Sequence, residues 1–353
     1  MSESKKAENL LDQFSDNPLT PGKIPPGVLE RLLNLPRRTN PALLVGPGPG
    51  EDAALLRLRE RRVVVSSDPI TFRTPRPGYY AVHINANDIA AMGASPEFFT
   101  LTLIMPPQST EKEIAKIWID AVDAADTLQA VLVGGHSEIS TAVITAVISV
   151  TMFGKLIKDR PFKTGDGLPG DAIIQVGPMG IEGTSILASE NKSSLEQEFG
   201  PDFTELAAGF LFDPGLSVVT PASLAAENLD VRAMHDPTEG GLATGLIEIA
   251  LASGTGLVVS EEKLLLRPET LKICRFLKYD PLGLISSGCL LFTVEAKEAD
   301  KAVQLMEEAG FASACIGRLT ENKEQYFLED RTGMRSKLPM FAVDELAAGA
   351  LRK

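Results

Sequence analysis

Asp52, Asp68, Asp88 and Asp236 share a setting that the other acidic residues of the chain lack: each stands at the edge of an apolar segment beside Gly, Ser, Thr or Asn. A solvated carboxylate belongs instead on the polar face of an amphipathic helix. Hard cations such as Mg²⁺ take oxygen ligands, and magnesium-bound phosphates are usually held by a few carboxylates without an all-protein cage. Scattered aspartates of this kind suit a magnesium–nucleotide site. Asp also favours turns through Asx hydrogen bonds, so each of the four, taken alone, also reads as a strand-end turn former.

The elements that must position these groups can be read around them. Residues 85–96, Asn-Ala-Asn-Asp-Ile-Ala-Ala-Met-Gly-Ala-Ser-Pro, close a helix that begins near Gly78. Tyr80, Ile84 and Ala91 recur at helical spacing, and Gly93 with Pro96 supplies the stop. The helix is small or apolar nearly all round and so belongs in an interior, yet Asn85, Asn87 and Asp88 would need partners there. Those partners are either neighbouring backbone and a basic side chain, or a metal or ligand. Asp52 follows a glycine-rich loop at residues 46–50 that matches neither a P-loop nor the dinucleotide fingerprint. Asp68 ends a buried-strand pattern that starts at Val63, where strand meets loop. Asp236 ends a short strand, and the glycines after Thr238 open a helix whose free N–H groups suit an anion.

The remaining pattern is a mixture of strands and helices. A strand at 98–105 precedes an amphipathic helix with a capping box in Thr110 and Glu113, whose Ile114, Ile117, Trp118 and Ala121 face a core. Residues 130–138 read as a buried strand running into a turn at Gly134-Gly135, and 143–153 as a long apolar strand pairing beside it. Residues 165–171, rich in Gly, Asp and Pro, mark the domain boundary. Beyond it come a strand at 172–176, a helix at 181–190, a polar loop at 191–202 and a second run of alternating helices and strands. The expected organisation is α+β: a polar, mobile tail at 1–20, or alternatively a short docking segment, then domains at 21–164 and 165–353.

With 353 residues, two domains are the better prior. The formal net charge of -13 argues against nucleic acid or an anionic membrane as partner. Cys274, Cys289 and Cys315 lie far apart with no CxxC pair, so neither a disulfide framework nor a zinc knuckle is expected, and a reducing, cytoplasmic setting is. No apolar run is long enough to span a bilayer, and the first residues lack a signal-peptide core. His83 and His235 have no histidine at ligand spacing and read as packing or hydrogen-bonding residues.

Taken in order, Gly50-Glu-Asp-Ala-Ala, Ser67-Asp, Asn87-Asp-Ile-Ala-Ala-Met-Gly-Ala-Ser-Pro, Gly134-Gly-His-Ser-Glu and His235-Asp-Pro-Thr-Glu-Gly-Gly-Leu-Ala resemble the aminoimidazole ribonucleotide synthetase superfamily. Within it the chain is most similar to the HypE hydrogenase-maturation branch, with selenophosphate synthetase and thiamine-monophosphate kinase as more distant members. The resemblance spans about residues 40–320. It implies an N-terminal domain that pairs with its twofold mate into a β-barrel, a C-terminal α+β domain, and ATP in the cleft between them. It further implies Asp52, Asp68, Asp88 and Asp236 as magnesium ligands, with Asn87, Gly135, His136, Ser137 and Thr238 near the phosphates.

The activity so implied is Mg-ATP-dependent phosphoryl transfer to an unidentified small-molecule or protein acceptor, with or without subsequent loss of water. It needs charge neutralisation and in-line positioning more than covalent work by side chains. The pattern also breaks in places. HypE proper has Asp-Thr-Lys where this chain has His136-Ser137-Glu138, and a glutamate where Ser287 stands. It carries a terminal cysteine, whereas this chain ends Ala350-Leu-Arg-Lys, so cyanide-ligand synthesis on its own tail is not expected. The reactive Cys and Lys of selenophosphate synthetase are absent too. A second expectation is therefore a nucleotide-binding assembly or regulatory protein without catalysis, and a third an acidic structural protein without nucleotide.

Overall fold

The computed structural model describes residues 10–19, 22–23, 26–45, 55–56, 63–71, 74–341 and 343–351. Asp52 and its glycine-rich loop lie outside the described residues, as do residues 1–9 of the expected tail. The chain divides into two compact units, residues 1–89 with 95–156, and residues 90–94 with 157–353. Both mix helix and sheet, as the α+β reading expects. No described helix is long and apolar enough to cross a membrane.

The first unit runs β1 (Gly22–Lys23), α1 (Pro26–Leu33), β2 (Leu43–Val45), β3 (Leu55–Leu56), β4 (Val63–Ile70), α2 (Pro77–Ala91), β5 (Ala94–Met105), α3 (Glu111–Leu128), β6 (Val131–Ile139) and β7 (Val147–Leu156). Its main sheet has the order β1-β6-β5-β7-β4, while β2 and β3 form a separate pair. Strand β5 alternates buried and half-buried residues along most of its length, the period-2 signature of a strand. The capping box forms as expected: Thr110 accepts from Glu113 N while Glu113 caps the Thr110 N–H. Ile114, Ile117, Trp118 and Ala121 are buried. Gly78 brings α2 onto α3, since a Cβ there would lie 2.1 Å from Ile117 O. Gly154 does the same for α2 on β7, where a Cβ would meet Ile89 at 2.2 Å.

Three expectations are corrected in this unit. Strand β4 is not a buried strand: it is the edge of the sheet, with Val65 55% exposed, so its apolar run covers one face without being enclosed. Strand β7 lies beside β4, not β6, because β5 runs between them. Gly134 and Gly135 make no turn; they sit inside β6 at an irregularity in its parallel pairing with β5. Residues 10–19 are docked, in line with the alternative reading of that segment. Phe14 is buried, Ser15 N donates to Glu111 Oε2 at 3.1 Å, and Lys112 Nζ pairs with Asp16 at 2.6 Å.

The second unit contains β8 (Ala172–Val176), α4 (Ile181–Glu190), α5 (Lys192–Phe199), α6 (Pro201–Ala208), α7 (Val219–Asn228), β9 (Met234–His235), α8 (Gly241–Ser253), β10 (Gly256–Ser260) and α9 (Pro268–Leu277). It continues with β11 (Leu290–Val294), α10 (Ala299–Glu308), β12 (Ser313–Thr320), β13 (Tyr326–Glu329), β14 (Arg335–Lys337) and α11 (Glu345–Leu351). These strands make one sheet, β14-β13-β10-β12-β8-β11-β9, in which β10 and β13 pair in parallel and the other described pairs are antiparallel. Separate apolar clusters pack around this sheet, one through Ile174, Met234 and Phe292, the other through Ile173, Leu246 and Leu291. Residues 191–202, expected as a polar loop, instead form α5 and open α6. Leu195 is wholly buried against Leu187 and Ile273, a single apolar anchor that polar composition hides.

Candidate functional site

In the first unit the site is built where α2 crosses β4. Asn85 is fully buried and spends its amide on backbone. Its Nδ2 donates to Ala81 O at 2.9 Å and to Asp68 O at 3.1 Å, and its Oδ1 accepts from Asp68 N at 2.8 Å. It thus replaces the missing ladder partner of the edge strand at one residue, which settles the Asn85 puzzle in favour of neighbouring backbone. Ser66 and Asp68 are two apart and so point to one side of β4, opposite Met152 and Val150. The Ser66 hydroxyl donates to Asp88 Oδ2. Asp68 and Asp88 are therefore brought to the same face of the sheet, Asp68 exposed and Asp88 half-buried, while Asn87 is wholly buried on α2.

Gly135 and His136 are placed differently, while Ser137 pairs with Leu103 and so turns to the side of β6 opposite His136. Gly135 has φ 154°, and a Cβ there would lie 1.9 Å from Leu101 O, so only glycine lets β6 approach β5 this closely. His136 pairs with Thr102, and its Nε2 lies 3.4 Å from Glu138 Oε2. Thr102 shares its side of β5 with Phe98, which packs with Phe153, and Phe153 faces away from Met152. His136 therefore lies on the sheet face opposite Asp68 and Asp88.

In the second unit β9 ends at His235, and Asp236 is buried just beyond it. His235 Nε2 meets Glu248 Oε2 at 2.9 Å, the hydrogen-bonding role expected of it. Thr238 O accepts from Gly241 N at 3.1 Å and from Ser286 N at 3.3 Å, and its hydroxyl donates to Glu239 at 2.9 Å. Gly240 and Gly241 have φ 76° and 66°, and a Cβ on Gly241 would lie 2.5 Å from Leu282 O. The two glycines thus let the loop turn left-handed while the start of α8 lies against residues 282–284. Asp236 and Thr238 are brought into one short loop.

Two further carboxyls in this unit escaped the sequence reading. Glu182, in the first turn of α4, is 1% exposed with no partner on Oε2. Burial pushes its carboxyl up to about 7, partly offset by the adjoining Ser287 and reinforced by Glu239 and Asp344. Asp344 is buried and accepts from Gly240 N at 2.9 Å, and burial pushes its carboxyl up to about 6. The criterion that selected the four aspartates, a carboxylate set among Gly and apolar residues, would have selected Glu182 had it been applied to glutamates. Cys274 and Cys289 are buried and their thiols are pushed up to about 12, chiefly by burial, which leaves them inert.

Magnesium can be tested against the donors present. Among the described residues no three or more His, Cys, Asp or Glu side chains group so as to hold a metal on their own. Asp68 and Asp88 instead offer carboxylate oxygens on one face, one of them exposed. That set fits an ion whose remaining ligands are phosphate and water.

The chain matches the family model described as AIR synthase related protein, N-terminal domain, over residues 50–156, and the corresponding C-terminal domain over residues 169–328. It is 29% identical over 298 residues to a carbamoyl dehydratase HypE of Rhodobacter capsulatus, covering 83% of this chain and 81% of that protein. It is 28% identical over 284 residues to the hydrogenase expression/formation protein HupE of Azotobacter chroococcum, covering 78% and 80%. Among solved structures it superposes with a TM-score of 0.75 on hydrogenase maturation protein HypE in complex with ATP, at 25% identity, over 90% of this chain and 94% of that one.

Proposed function

The chain belongs to the AIR synthase related protein family, and we propose that it is a HypE-like enzyme that binds ATP with magnesium and transfers its terminal phosphate to a small-molecule or protein acceptor. The observation that carries the proposal is the placement of Asp68 and Asp88 on one sheet face, fixed by Asn85 and Ser66. Support comes from the HypE relative solved with ATP. Asp52, Asp68, Asp88 and Asp236 are the proposed magnesium ligands, and Asn87 and Thr238 the proposed neighbours of the phosphates. Bound magnesium supplies neutralisation of phosphate charge. The chain's own residues orient the donors: Ser66 holds Asp88, and the paired glycines set Thr238. A finer step is suggested by the name carbamoyl dehydratase of the relatives: the phosphorylated oxygen of the acceptor would leave as phosphate with a proton from the acceptor, so that the net change is loss of water.

We further propose a twofold dimer closed through the first-unit sheet, in which His136 meets a nucleotide through a second copy, because it lies on the face away from Asp88; Gly135 and Ser137 are kept as proposed neighbours of the phosphates. The departures from the HypE pattern at His136-Ser137-Glu138 and at Ser287 favour a second reading, nucleotide binding without turnover in an assembly role. Titration calorimetry with Mg-ATP tests the binding. Asp88→Asn is expected to weaken it at least tenfold and EDTA to abolish it; binding indifferent to both removes the site assignment. Labelled ATP incubated with metabolite extract separates the two readings, since any ADP-linked product rules out the non-catalytic one.

A further inference from the structure

The last described segment of the chain is tied to the loop that carries Asp236 and Thr238. The Phe341 ring fills the space at Gly283, where a Cβ would lie 2.5 Å from it, and Phe341 N donates to Thr244 Oγ1 at 3.4 Å. Glu345 Oε2 accepts from Asp280 N at 3.1 Å. Between these ties, Asp344 uses both carboxylate oxygens: Oδ1 accepts from Leu346 N at 2.8 Å and Oδ2 from Gly240 N at 2.9 Å. One carboxylate thus joins the start of α11 to the residue that precedes α8, across a sequence separation of 104.

Capping N–H groups alone does not require a charge, because Ser, Thr and Asn cap as well. Asp344 is moreover placed at a cost. It is buried, and among the described residues the titratable groups that act on it are acidic: Glu239 beside Gly240, Glu345 on α11, and Glu182 on α4. A carboxylate kept in that company is one whose charge the loop uses. Gly240 follows Asp236 and Thr238 closely, and with φ 76° it has no side chain to steady it, so its N–H is the handle by which the loop can be held.

We propose that Asp344 is a positioning residue for the nucleotide site: through Gly240 it fixes the loop of residues 236–241, so that Asp236 and Thr238 are preset for magnesium and phosphate. The role in nucleotide binding rests on the function proposed above, whereas the hold on the loop does not. Below about pH 6 the carboxyl gains a proton, its bond to Gly240 N weakens, and the loop loosens.

Two measurements on the full chain test this together: amide hydrogen exchange of residues 238–243, and calorimetry with Mg-ATP at pH 7.5 and 5.5. The variants are Asp344→Ala, which removes the acceptor, and Asp344→Asn, which keeps an oxygen but not the charge. In Asp344→Ala the loop amides are expected to exchange at least tenfold faster and the Kd for Mg-ATP to rise at least fivefold. Asp344→Asn is expected to recover part of both at pH 7.5, and the wild-type advantage over it should vanish at pH 5.5. Unchanged exchange in Asp344→Ala overturns the hold on the loop. Faster exchange with unchanged Kd overturns the positioning role and leaves only a structural cap. No Mg-ATP binding by the wild type removes the functional reading and the positioning role with it, and the exchange data then decide the hold on the loop separately.

Discussion

Asn85 makes three hydrogen bonds from a fully buried amide, two of them to the backbone of Asp68. Asn85→Ala should therefore destabilise the chain by on the order of 2–3 kcal/mol, since it strands those backbone groups. It should also weaken Mg-ATP binding, because Asp68 loses its anchor; urea unfolding and calorimetry on one preparation read both. Glu182 gives the opposite kind of prediction. Its carboxyl titrates near 7 in the folded chain against an ordinary 4.5. A raised carboxyl favours the folded state fully only below about pH 4.5, and that contribution is lost as pH rises through 7. Glu182→Gln, which cannot ionise, should raise the melting temperature by a few degrees at pH 8 and leave it nearly unchanged at pH 4.5, as followed by calorimetric melts. A larger gain at pH 4.5 than at pH 8 would mean that the burial of this carboxyl is not what moves it.

At the scale of elements, the sequence made helices more legible than strand neighbours. The α3 boundary was readable because a capping box is a local event: Thr110 and Glu113 complete each other within one turn. Thr110→Ala is expected to cost about 1 kcal/mol in urea unfolding. The bounds of β4 were equally plain, but its exposure was not, because burial depends on which strand lies alongside, and no residue of β4 states that it is an edge. The same holds for Gly134 and Gly135. A Gly-Gly pair signals a turn locally, whereas here Gly135 answers to Leu101, a residue 34 positions earlier on the parallel strand. Gly135→Ala is accordingly expected to be severe, lowering soluble yield or stability by more than the ~1 kcal/mol of an ordinary glycine replacement, since backbone would have to move. Among the candidate site residues, Asp68, Asp88 and Asp236 stand out in the sequence by their apolar and glycine surroundings, and as magnesium ligands they are proposals, as is Asp52, which lies outside the described residues. Glu182 shares those surroundings, whereas Ser66 and Asp344 carry no such signal, because their contacts are with residues 22 and 104 positions away.

At the scale of the whole molecule, an edge strand with Val63 37% and Val65 55% exposed is a liability in a chain on its own, since unpaired backbone and apolar side chains invite further pairing. Pro69 blunts the end of β4, but among the described residues no strand other than β7 pairs with its Val63–Val65 half. The face that carries these valines also carries Thr102 and His136, a half-exposed surface lined by β-branched and polar residues. A second copy that covers this face removes the liability and places His136 inside an interface, which a monomer leaves without purpose. A stable interface buries on the order of 1,600 Å², within reach of a five-stranded sheet face. Val65→Lys adds a charge at the most exposed apolar position of β4 without touching Asp68, Asp88 or Asn85. Light scattering behind size exclusion should find the wild type dimeric and Val65→Lys shifted at least tenfold towards monomer. If His136 serves a nucleotide across that interface, the monomeric variant should bind Mg-ATP more weakly although every proposed magnesium ligand is intact. Monomeric Val65→Lys with wild-type affinity would confine the nucleotide to a single chain and return His136 to the strand surface.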